Sequence, residues 1–133
     1  MNTSTVIGKA LSYSFTGLMA FFAPIHWAFW VVICFVSVDT TTGIMAAGKV
    51  SIRAIESRKL FQIVPKLIFY FLLVITAHGC SYIDEQIPFV KLAMFGIGFI
   101  EIKSIDENFE KIYGFSFVSR ILEALKQLSK VKR

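Results

Sequence analysis

Long uncharged runs dominate the first two thirds of the chain. Between Lys9 and Asp39 lie 29 residues without Asp, Glu, Lys or Arg. One helix of that length would run about 43 Å, longer than the ~30 Å hydrocarbon core of a bilayer. Pro24 supplies a break, because proline lacks a backbone donor and clashes with the preceding turn. The pattern therefore predicts an interfacial amphipathic helix over residues 5–22. There Val6, Ile7, Ala10, Leu11, Leu18, Met19 and Phe22 recur at helical spacing, opposite Lys9, Ser12 and Thr16. A first membrane span follows over residues 25–47. The uncharged run 67–83 predicts a second span over residues 64–82, helical because a lone strand cannot satisfy its backbone in lipid.

The third span is more broken. Only nine residues separate Lys91 from Glu101, yet an apolar face continues through Ile102, Ile105, Phe109 and Ile112. A helix over residues 88–112 keeps that face and sets Glu101, Ser104 and Asn108 on one stripe at i, i+3, i+7. Residues 116–133 then predict a second amphipathic helix. Phe117, Ile121, Leu122, Leu125 and Leu128 share one side, Arg120, Lys126 and Lys130 lie off it, and Ser116 is placed to cap its start.

Composition agrees with a membrane protein. Of 133 residues 56% are hydrophobic and 17% charged, against about 45–50% and about 25% in soluble domains. The expected fold is one all-α integral membrane domain with three transmembrane helices flanked by the two amphipathic ones. Eight Gly and two Cys exclude a collagen-like or disulfide-rich framework. Cys34 and Cys80 fall in apolar spans and read as reduced fillers. A secretory signal peptide competes for the N-terminus, but the apolar run continues far past any plausible cleavage site.

Charge then sets the orientation. The net charge is +5, concentrated in two blocks. The loop over residues 48–63 carries Lys49, Arg53, Arg58 and Lys59 against Glu56, and six basic residues from Lys111 onward face Glu123 alone. The loop over residues 83–91 is acidic, with Asp84 and Glu85 against Lys91. By the positive-inside rule, loop 48–63 and the C-terminus are cytoplasmic and the N-terminus is outside. Trp27, Trp30 and Tyr82 then fall at the outer interface, where amphipathic rings settle.

No phosphate-cradling glycine loop, HExxH or CxxC is present, so neither an enzyme nor a cofactor is expected. His26 and His78 lack an acidic or thiol partner at zinc spacing. Two carboxylates stand out. Asp39 and Glu101 sit at matched depths, ~10–12 Å above the inner boundary, from the helical rise. Such residues face a bundle interior or water, because a charge near the bilayer centre costs ~2.5–3.5 kcal/mol. Asp39, Thr42, Gly43, Glu101, Ser104 and Asn108 are accordingly the candidate intramembrane packing or pore residues. They act either as helix-packing glue, with Lys66 reaching in, or as the lining of a polar path. Gly43 with Ala47, Ala77 with Ser81, and Gly96 with Gly98 notch the spans for close approach in an oligomer. Arg58, Lys59, Lys66, Lys126, Lys130, Lys132 and Arg133 form the membrane-surface basic set, suited to an anionic leaflet. The apolar stripe beside the tail's cations argues against nucleic acid.

The residues from Asp39 to Gly43 (Asp-Thr-Thr-Thr-Gly), the basic Ser57-Arg58-Lys59 before Lys66, and the string from Glu101 to Asn108 resemble the toxin-secretion/phage-lysis holin family. The likeness spans residues 31–129 and includes the basic amphipathic tail. The resemblance implies a protein of the bacterial inner membrane that oligomerises and then opens lesions. Those lesions release an endolysin or, in toxin loci, a toxin. A non-lytic membrane anchor whose tail docks a cytoplasmic partner, and a small constitutive channel, fit the same hydropathy.

Overall fold

A computed structural model describes residues 3–50 and 61–131. Helix α1 (Thr3–Phe22) runs into a 3-10 turn (Ala23–Ile25) and then α2 (His26–Val50). Pro24 sits inside that turn, where its missing donor costs least, and His26 Nδ1 lies 2.6 Å from the Ala23 carbonyl oxygen. Helices α3 (Ile63–Ser81), α4 (Phe89–Tyr113) and α5 (Phe117–Val131) complete the described chain, which is all-helical.

Short connections reverse the chain. After α3, the Tyr82 N–H donates to the Gly79 carbonyl and the Ile83 N–H to the Cys80 carbonyl. Asp84 Oδ1 accepts the Gln86 N–H at 2.9 Å, a side chain mimicking a backbone turn. After α4, Gly114 adopts φ +78°, which glycine enters without steric penalty, and its N–H closes on the Glu110 carbonyl at 2.7 Å.

Helices α2, α3 and α4 pack into a three-helix bundle, while α5 touches α4 alone to any extent and α1 contributes no buried residue. Each bundle helix turns one stripe inward. On α2 it is Ala28, Val32 and Val36, continued from Ile25 of the preceding turn; on α3 Tyr70 and Val74; on α4 Met94 and Ile97. The bundle's outer surface is apolar: Trp30, Phe69, Leu72, Phe95 and Phe99 are all more than half exposed. A soluble bundle would bury such rings, whereas this one turns them outward and buries a glutamate.

Candidate functional site

Followed away from the apolar core, the three buried stripes become polar. On α2 the register continues from Val36 to Asp39 and Gly43, on α3 from Val74 through Tyr70 back to Lys66, and on α4 from Ile97 to Glu101, Ser104 and Asn108. Helical periodicity thus delivers one ammonium, two carboxylates, a phenol and an amide to the same layer.

Lys66 Nζ bridges the carboxylates, 2.7 Å from Asp39 Oδ2 and 2.8 Å from Glu101 Oε2. Tyr70 Oη donates to Glu101 Oε1 at 2.5 Å. Asn108 Nδ2 donates to Asp39 Oδ1 at 3.2 Å and to Thr42 Oγ1 at 3.3 Å, and Thr42 Oγ1 donates to the Asp39 carbonyl at 2.9 Å. Each of the four carboxylate oxygens therefore receives a donor. Glu101 is fully buried at 0% exposure, which only such pairing permits. Among the described residues no buried side-chain polar atom lacks a partner.

Gly43 faces Asn108, and a Cβ there would lie 3.5 Å from Asn108 Nδ2, an ordinary van der Waals contact. Ser104 is half-buried beside the cluster and makes no hydrogen bond in it. Thr40 and Thr41 bond back to the Val36 and Ser37 carbonyls instead of reaching Asp39. Lys66, grouped above with the membrane-surface cations, occupies the centre of the cluster. Its stem lies on the inward side of α3, one turn from Tyr70, where two carboxylates compensate its desolvation. Lys126 lies on α5, while Arg58, Lys59, Lys132, Arg133 and the Lys130 side chain fall outside the described residues.

Two contacts had no sequence signal beyond residue type. Tyr70 reads as one more apolar position inside its span, although its i, i+4 relation to Lys66 places both on one face. Lys49 Nζ donates to the Ile112 carbonyl at the end of α4 and lies 5.8 Å from the Tyr113 ring centroid, so a cation meets a helix C-terminus. At the opposite end of the bundle, His78 is buried, with its ring 4.8 Å from Phe21 and its Nε2 3.4 Å from Tyr82 Oη. This clasp joins the end of α1 to α3. Among the described residues no group of His, Cys, Asp and Glu could hold a metal.

The model of the bacteriophage holin family matches residues 16–130, which takes in α2, α3, α4 and every residue of the cluster. The chain belongs to the bacteriophage holin family. No curated protein and no solved structure matches it. Holins are non-enzymatic membrane proteins, and among the described residues two stretches are long and apolar enough to cross a bilayer, Thr3–Lys49 and Ile63–Ser81. Only 22% and 17% of their most apolar windows are buried within the chain, too little for core helices of a soluble protein. This is a phage-type holin of the inner membrane.

Proposed function

We propose that this holin crosses the inner membrane three times, on α2, α3 and α4, with its N-terminus outside and its C-terminus in the cytoplasm. It accumulates there in the packing described above, oligomerises, and then opens lesions large enough to release a cell-wall hydrolase or a toxin. The observation that carries this reading is the fully hydrogen-bonded ion cluster inside a bundle whose outside is apolar. Helix α4 carries too many charges to read as a span by hydropathy alone. Its buried Glu101 is paired with Lys66 and Tyr70, and its exposed Leu92, Phe95 and Phe99 make an apolar outer face.

The physics of opening follows from the same cluster. In lipid, helices gain no hydrophobic advantage by associating, so packing and polar contacts hold the bundle. Parting the three helices strands Asp39 on α2 and Glu101 on α4, both held by Lys66 on α3, and each charge left in hydrocarbon costs a further ~2.5–3.5 kcal/mol. The separated state is tolerable only where those faces meet water. A lesion whose lumen is lined by Asp39, Thr42, Lys66, Glu101 and Asn108, contributed by several copies, meets that requirement. The closed and open states are then two satisfied arrangements of one polar stripe, and the intermediate is costly, which makes opening abrupt. Helix α1, apolar and unburied, lies along the outer interface, clasped through Phe21 by His78 and Tyr82.

The test is inducible expression in bacteria, following membrane potential together with release of a folded cytoplasmic reporter enzyme. A delay followed by simultaneous depolarisation and reporter release is expected. Depolarisation without release contradicts large lesions. Neither signal, with the protein verified in the membrane, contradicts lesion formation and favours a membrane anchor.

A further inference from the structure

The junction of α4 and α5 holds a feature that lesion formation does not explain. Asp106, on α4, caps the first turn of α5: its Oδ1 accepts the Phe117 and Val118 N–H groups at 2.7 and 3.2 Å, and its Oδ2 accepts the Ser116 hydroxyl at 2.7 Å. Ser116 Oγ in turn accepts the Ser119 N–H at 3.0 Å. The start of α5 is thereby drawn back beside a residue seven positions before the end of α4, about 10 Å along its axis. The two helices enclose a cleft of about 300 Å³ lined by Ile102, Ile105, Asp106, Phe109, Phe117 and Val118. With the Asp106 carboxylate committed to capping, the walls offer a ligand almost nothing but hydrocarbon.

Two observations identify the occupant. The cleft continues the outward apolar stripe of α4, Leu92, Phe95, Phe99 and Ile102, which is 52–77% exposed. One turn beyond Phe117, the Arg120 guanidinium stacks at 4.0 Å from the Phe115 ring centroid and forms no ion pair among the described residues. Arg120 and Lys126 border the two edges of the α5 apolar face, where long cationic side chains cover hydrocarbon and keep their charge at the headgroup level.

We propose that this corner is a binding site for an anionic phospholipid of the cytoplasmic leaflet. One acyl chain runs down the α4 stripe into the cleft, and Arg120 meets the phosphate. The site fixes the tail in the plane of the membrane. It rests on the reading of α4 as a span, and the experiment separates the two.

Full-length protein with Trp27→Phe and Trp30→Phe carries a single new Trp, Val118→Trp at the cleft or Phe95→Trp in mid-span. Each is reconstituted in vesicles of phosphatidylcholine and phosphatidylglycerol in which one lipid at a time has brominated, quenching acyl chains. Quenching of both tryptophans is expected, with Trp at 118 seeing phosphatidylglycerol enriched about fivefold over bulk. That preference, absent at position 95, is lost on Arg120→Ala. Quenching at 95 but not at 118 overturns the lipid site and leaves the span standing, and shielding at 118 that disappears on dilution assigns the cleft to a second copy. Equal quenching by both lipids at 118 overturns the anionic assignment. No quenching at either position overturns the span and the site together.

Discussion

Glu101 makes no contact with water, and its two oxygens are held by Tyr70 and Lys66. Removing one partner of such a pair leaves a buried charge uncompensated, a loss of about 3–5 kcal/mol. Lys66→Ala, which leaves Glu101 buried without a cation, is therefore expected to lower the thermal unfolding midpoint in detergent sharply, and Glu101→Gln, which removes the buried charge and keeps an acceptor for Tyr70, to lower it less. An alanine variant as stable as the wild type would refute a stabilising cluster. Gly43 works in the opposite direction. A Cβ 3.5 Å from Asn108 Nδ2 is an ordinary contact, and alanine is favoured over glycine by about 1 kcal/mol within a helix. Gly43→Ala is expected to be neutral or slightly stabilising, whereas Gly43→Leu displaces Asn108 and destabilises; equal behaviour of the two would show that the notch does not matter. Charge and depth in the sequence were enough to single out Asp39 and Glu101, because carboxylates inside apolar runs are conspicuous. Lys66 was ambiguous, since a lysine near a span's end either snorkels to the surface or turns inward, and only the partner across the bundle decides.

At the scale of elements, Pro24, Ser116 and the helical recurrence of apolar residues marked the helix limits to within a few positions, because each acts through its own local backbone. What joins the elements was not legible. The acceptor for Lys49 is a backbone carbonyl, identical in every residue, and Asp106, which adds to the Ser116 cap read from the sequence, lies eleven positions before the first residue of α5. Asp106→Ala removes the acceptor of two first-turn N–H groups and of the Ser116 hydroxyl. Loss of a cap costs about 1 kcal/mol, so hydrogen exchange at Phe117 and Val118 is expected to quicken several-fold, with the amides of α3 unchanged. Unchanged protection of the α5 first turn would mean that something other than Asp106 holds the tail.

For the whole molecule, hydropathy alone distinguishes α3 and the run through α1 and α2 as spans, and leaves α4 in doubt because it carries Lys91, Glu101, Lys103 and Asp106. Its membership of the bundle emerges only when those charges are assigned partners, Lys66 for Glu101 and the α5 backbone for Asp106. On this account the same cluster lets a charged helix rest in lipid and is also the contact that must part when a lesion opens. A cysteine pair across it asks that question directly. Gly43→Cys with Asn108→Cys, in a Cys34→Ser, Cys80→Ser background, places two thiols on the facing sides of α2 and α4. With the disulfide formed by a membrane-permeant oxidant and its yield measured, reporter release should be blocked, and should resume when a reductant is added. Release on the wild-type schedule from fully cross-linked protein would contradict the account, because lesions would then open with α2 and α4 still joined.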